Sequence, residues 1–135
     1  MRVEWVFLAA LACGGMKSPG SVADVFVDRY YVESDQTGAL PYTDGVAELR
    51  LRDELQLTAE GRRGKGGAGE SPARQVRVYY KRISFKGDGP ARMADYELDI
   101  RPQGGGEIKR VAHVELAQKP DGTWRVVRFS ETQNR

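Results

Sequence analysis

Ala94-Asp95-Tyr96-Glu97-Leu98-Asp99-Ile100-Arg101 alternates apolar and charged residues without a break. A period of two places Ala94, Tyr96, Leu98 and Ile100 on one face of a strand and the four charged residues on the other, the mark of a half-buried strand. The segments around it repeat the pattern. Upstream, residues 74–85 carry Val76, Val78 and Tyr80 on one face, with Tyr79, Ile83 and Phe85 opposite. Downstream, residues 108–119 place Ala112, Val114 and Leu116 inward, with Val111, His113 and Glu115 facing the other way. Residues 124–132 close the set. Lys86-Gly87-Asp88-Gly89-Pro90, Gly104-Gly105-Gly106 and Pro120-Asp121-Gly122 supply short turns, so the four strands form an antiparallel meander.

Before the strands the pattern is helical. Ser18-Pro19 puts a capping hydroxyl ahead of a proline at the first helical position. Val22, Val25, Phe26 and Tyr30 then recur at helical spacing, and the pattern stops at Ser34-Asp35-Gln36-Thr37-Gly38. A second helix starts near Thr43-Asp44, with Ala47, Leu51, Leu55 and Thr58 on one stripe, Leu49 and Leu57 widening it, and Gly61 ending it. The stretch from Gly61 to Pro72 is a loop by composition. It lacks the spacing of a phosphate-binding loop, and no strand precedes it. Helices first and a meander after define an α+β layout, with N-terminal helices packed on a curved four-stranded antiparallel sheet.

With 135 residues the chain has room for one domain of this size. A single cysteine excludes an internal disulfide, and a single histidine excludes a multi-histidine metal centre. No cofactor and no metal is expected. The net charge of +2 does not indicate a nucleic-acid partner. Its distribution is uneven: residues 14–61 hold four basic and nine acidic side chains, and residues 62–135 hold sixteen basic and nine acidic. Arg62, Arg63 and Lys65 concentrate positive charge in the glycine-rich stretch and are candidate contacts for anions or lipid head groups.

Residues 1–12 read Met-Arg-Val-Glu-Trp-Val-Phe-Leu-Ala-Ala-Leu-Ala and precede Cys13-Gly14-Gly15. The apolar run from Trp5 to Ala12 has the length of a signal-peptide core and is too short to span a bilayer. Ala10-Leu11-Ala12-Cys13 resembles a bacterial lipoprotein signal, in which the cysteine thiol is lipidated and the chain is cleaved before it. Leucine is preferred at the third position before that cysteine; here Leu8 and Leu11 flank the position. The resemblance implies a signal peptide over 1–12, a lipidated Cys13 with a flexible tether over 13–20, and a domain over 21–135. It also implies a membrane partner through the lipid anchor and a place in the periplasm-facing envelope. Gly14 stands where some bacteria use aspartate to retain such proteins at the inner membrane, which points to the outer one.

The capped helix at Ser18-Pro19, the second helix and the final strand Asp121-Gly122-Thr123-Trp124-Arg125-Val126 together resemble the NTF2-like superfamily. Small envelope lipoproteins of the lumazine-binding-like type within it are the nearest likeness, over residues 18–132. The resemblance implies a cone with a cavity between sheet and helices, and dimerisation through the sheet. Tyr30, Tyr42 and Tyr96 are the candidate pocket residues. An exposed face of Tyr79, Ile83, Phe85, Val127 and Phe129 would suit a second copy or an envelope protein. His113, Asp95 and Asp99 are expected on the solvated face. The functional expectation is a non-catalytic ligand-binding or assembly module. The alternatives are a small NTF2-like isomerase or dehydratase, and a cytoplasmic protein in which residues 1–12 belong to the fold.

Overall fold

The computed structural model describes residues 16–64 and 76–133. Cys13, Lys65 and the segment 1–12 lie outside the described residues. Helix α1, Pro19–Val27, begins as the sequence dictates: Ser18 caps it, its hydroxyl accepting from the Ser21 N–H at 3.3 Å. The helix then widens into a π-helical turn, Asp28–Val32, closed by the Glu33 N–H on the Asp28 carbonyl at 3.0 Å.

The stop expected at 34–38 is instead a second start. Asp35 caps a short helix α2, Gln36–Ala39, by accepting from the Gly38 N–H at 2.9 Å. A 3-10 turn, Leu40–Tyr42, follows. Helix α3 spans Gly45–Gly64, so Arg62 and Arg63 fall in its last turn and not in a loop. Arginine is a strong helix former, and the turn carries past Gly61 despite the cost of about 1 kcal/mol a helical glycine brings. Ala47 and Leu51 are buried, but Leu49 and Leu57 are 68% and 61% exposed. At about 100° per residue they sit across the helix from that stripe and do not widen it.

Strands β1 (Val76–Lys86), β2 (Ala91–Pro102), β3 (Ile108–Gln118) and β4 (Trp124–Gln133) form one antiparallel sheet in chain order. The helices cover one face. Their core joins Val22, Phe26 and Val27 of α1 and Leu51 of α3 to Tyr96, Leu98, Val114, Leu116 and Val126 of the sheet. Asp44, just before α3, donates its N–H to the Val126 carbonyl at 2.9 Å, and Thr43 bridges Val126 beside it. That stitch holds the helical layer to the edge strand β4.

Two β-bulges alter the faces read from alternation. In β1 the register shifts between Arg82 and Ser84, and Phe85 then pairs with Ala94 on the helix-covered face. In β4 the shift falls where Leu116 pairs with Val126 and Glu115 with Arg128, which leaves Val127 as the extra residue. Phe129 consequently pairs with Val114 and is buried, only 5% exposed. The apolar outer face expected from Tyr79, Ile83, Phe85, Val127 and Phe129 is therefore not formed. Each bulge adds one residue and reverses the parity of everything after it. Ile83 and Tyr79 remain about half exposed, among the charged residues Lys81, Glu97 and Asp99.

The chain joins the sheet earlier than the tether reading of 13–20 allows. The Met16 carbonyl accepts the Trp124 N–H at 2.7 Å, and its side chain packs against the core. Met16 stands three residues after Cys13 in the sequence.

Candidate functional site

The three tyrosines expected to share a pocket are held apart. Tyr96 lies in β2 and is fully buried; its hydroxyl donates to Asp24 of α1 at 2.5 Å, and Arg82 reaches the same carboxylate at 3.6 Å. Burial, together with Asp24 as acceptor, drives the Tyr96 hydroxyl far above its ordinary range. Tyr42 sits in the 3-10 turn, half-buried against the core. Tyr30 belongs to the π-helical turn, and its hydroxyl donates to Glu54 of α3 at 2.8 and 2.9 Å. No ring contact or hydrogen bond joins the three among the described residues.

Tyr30 instead belongs to a cluster that sequence spacing did not announce. The extra residue of the π turn brings adjacent Tyr30 and Tyr31 together edge to face, 4.8 Å between ring centroids, and both lie against Phe129. Tyr31 donates to Glu131 of β4. Arg50 of α3 lies 4.1 Å over the Phe129 ring, donates to the Phe129 carbonyl at 3.0 Å, and pairs with Glu54 at 3.1 Å and Glu131 at 3.4 Å. Burial first, and then the carboxylate each one faces, pushes the hydroxyls of Tyr30 and Tyr31 far upward. Every polar end in this cluster meets a partner, so its chemistry is that of a clamp between α3, the π turn and β4. Arg50 and Glu54 do stand four residues apart, the one signal of it in the sequence.

On the opposite face a hydrogen-bonded row crosses all four strands. Ser84 of β1 donates to Asp95 Oδ2 at 3.0 Å, and Asp95 Oδ1 meets His113 Nδ1 at 2.8 Å. His113 Nε2 meets the Thr132 hydroxyl at 2.9 Å. Register builds the row: Ser84 pairs with Asp95 and Asp95 with His113 directly across the strands. The carboxylate favours the tautomer with its proton on Nδ1, which leaves Nε2 as the acceptor for Thr132. The outward placement expected for His113 and Asp95 holds, but they are partners across the sheet and not separate solvated groups.

A groove of about 430 Å³ opens on this outer face, at the end of the sheet where Met16 meets Trp124. Lys86, Met93, Glu115, Ala117 and Val127 line it. Its depth comes from a pair of small residues, since Ala91 stands directly opposite Ala117. Among the described residues no cluster of three potential metal ligands occurs, and no helix is long and apolar enough to cross a membrane. Of Arg62 and Arg63 only their place in the last turn of α3 is described. No protein-family model matches the chain, and no curated protein matches it.

Proposed function

We propose that this chain is a lipid-anchored, non-catalytic binding or assembly module of the bacterial envelope, built on an NTF2-like plan. The observations that carry the proposal are the apolar run from Trp5 to Ala12 ending at Cys13, and the Met16 carbonyl, three residues on, which accepts the Trp124 N–H and ties the chain to the sheet. Three residue steps span at most about 10 Å, so a lipid on Cys13 would hold the domain close against the membrane. The helix-then-meander order supports the NTF2-like plan. Tyr30 and Tyr96, each tied to its own carboxylate, support a filled interior in place of a proton-transfer pocket.

Intact mass and fractionation of the protein expressed in a bacterial host, beside Cys13→Ala, test the anchor. The expected result is loss of residues 1–12, a gain of lipid mass, and membrane association that disappears in the variant. A full-length, soluble, unlipidated product would refute it and return residues 1–12 to the fold. The row of Asp95, His113 and Thr132 favours a second reading, a small enzyme using His113 as base. Hydrolysis of an activated ester that collapses in His113→Ala would support that reading; equal rates in both proteins would remove it.

A further inference from the structure

We propose that the edge of β1 takes up an extended acidic segment of another protein as a fifth strand. The two edges of the sheet differ. On β4, Trp124 donates its N–H to the Met16 carbonyl at 2.7 Å, the Val126 carbonyl accepts from Asp44 at 2.9 Å, and the Phe129 carbonyl accepts from Arg50 at 3.0 Å. On β1, among the described residues, no main-chain bond reaches Val76–Lys86 from outside the β1–β2 ladder. An edge strand turns alternate N–H and C=O groups outward, and 11 residues without a proline make a long template for another strand.

Apolar side chains flank that edge on both faces. Tyr80 and Phe85 share the helix-covered face with Leu98 and Ala94, their partners in β2, yet both stay exposed. Tyr79 and Ile83 are exposed as well. The helical layer leaves this strand largely uncovered, and an added strand would bury part of what it leaves bare.

Charge selects the occupant. β1 carries Arg77, Lys81, Arg82 and Lys86 and no acid. Arg82 turns its charge inward, 3.6 Å from Asp24. Arg77 stands opposite Arg101, whose guanidinium already holds Asp99 at 2.8 Å and Glu107 at 3.4 Å. Lys81 stands opposite Glu97, and Lys86 opposite Met93. An added strand would lie one spacing, about 5 Å, from the cations of β1 but two spacings, about 10 Å, from the acids of β2. The longer distance is about a Debye length in physiological salt, so the nearer cations decide the sign. A second copy of β1 would bring its own four cations against these, and basic side chains on an edge guard against such self-pairing.

Register specifies the segment. Arg77, Tyr79 and Lys81 alternate on the outer face. Aspartate or glutamate would face the two cations and an apolar residue Tyr79, with apolar residues between them opposite Val78 and Tyr80. The inference names a partner for the binding-module reading, on which it rests, and it does not need the anchor.

The full chain is titrated with the capped peptide Thr-Asp-Val-Tyr-Val-Asp-Thr, and separately with its counterpart carrying lysine for both aspartates. Amide chemical shifts locate binding, and sedimentation reports the oligomeric state. Saturable binding of the acidic peptide is expected, with shifts along Val76–Lys86 and none along β4. The lysine peptide should bind about tenfold more weakly, and the double change Arg77→Glu with Lys81→Glu should reverse the preference. Both side chains are exposed, so the thermal midpoint should stay close to that of the parent. Binding of neither peptide, equal affinity for the two, shifts centred on β4 or the groove, or a free chain that sediments as a dimer paired through β1 would overturn the proposal. Failure of the binding-module reading shows separately, as ester hydrolysis that is lost in His113→Ala.

Discussion

Tyr31, Tyr30 and Tyr96 each donate a part-buried hydroxyl to a carboxylate on another element, Glu131, Glu54 and Asp24 in turn. Their folded ionisation constants are raised above the ordinary tyrosine value of about 10 by burial and then by the facing carboxylate. A raised acid of this kind contributes stability that is intact below the unfolded value and is lost as pH climbs through the window above it. Stability should therefore fall steeply from about pH 10 upward, because the unfolded chain releases these protons and the folded chain keeps them. Phenolate absorbance followed during alkaline titration checks this: Tyr30, Tyr31 and Tyr96 should ionise together with loss of the circular dichroism signal. Gradual ionisation of all tyrosines in the intact fold would contradict the three pairings. Sequence spacing marked Tyr30 and Tyr96 as interior groups. It was silent on their acceptors, which lie 24 and 72 residues away.

At the scale of elements, the start of α1 and the faces of β2 and β3 were legible, since a cap and a strict alternation are local facts. The ends and parities of other elements were not. Helix α3 outruns Gly61, and Asp35 turns an expected stop into a new cap. The bulges at Ile83 and Val127 are single added residues whose effect surfaces two positions later, at Phe85 and Phe129. Substitution separates the two placements of Phe129. As a residue of the buried face, Phe129→Ala should cost about 3–5 kcal/mol in urea unfolding. Ile83→Ala, at a half-exposed bulge, should stay within about 1 kcal/mol. Similar small losses at both sites would restore the unbulged alternation and put Phe129 outside.

For the molecule as a whole, the uneven charge of the two halves reappears in two ion pairs between helical layer and sheet, Asp24 with Arg82 and Asp44 with Lys119, whereas Arg50 with Glu131 runs the other way. The outer face carries the polar row from Ser84 to Thr132 in place of the five-residue apolar face expected there. The groove lies alongside that row, further along the strands, where two alanines meet. The sequence by itself determined the order of elements, the turns, the capped start and the inward faces of β2 and β3, because chain geometry and side-chain period act within a few residues. Only the tertiary structure decided which polar groups meet and where the groove opens. Those depend on register between strands and on helix-to-sheet contacts, and one extra residue in β1 or β4 changes every partnership after it.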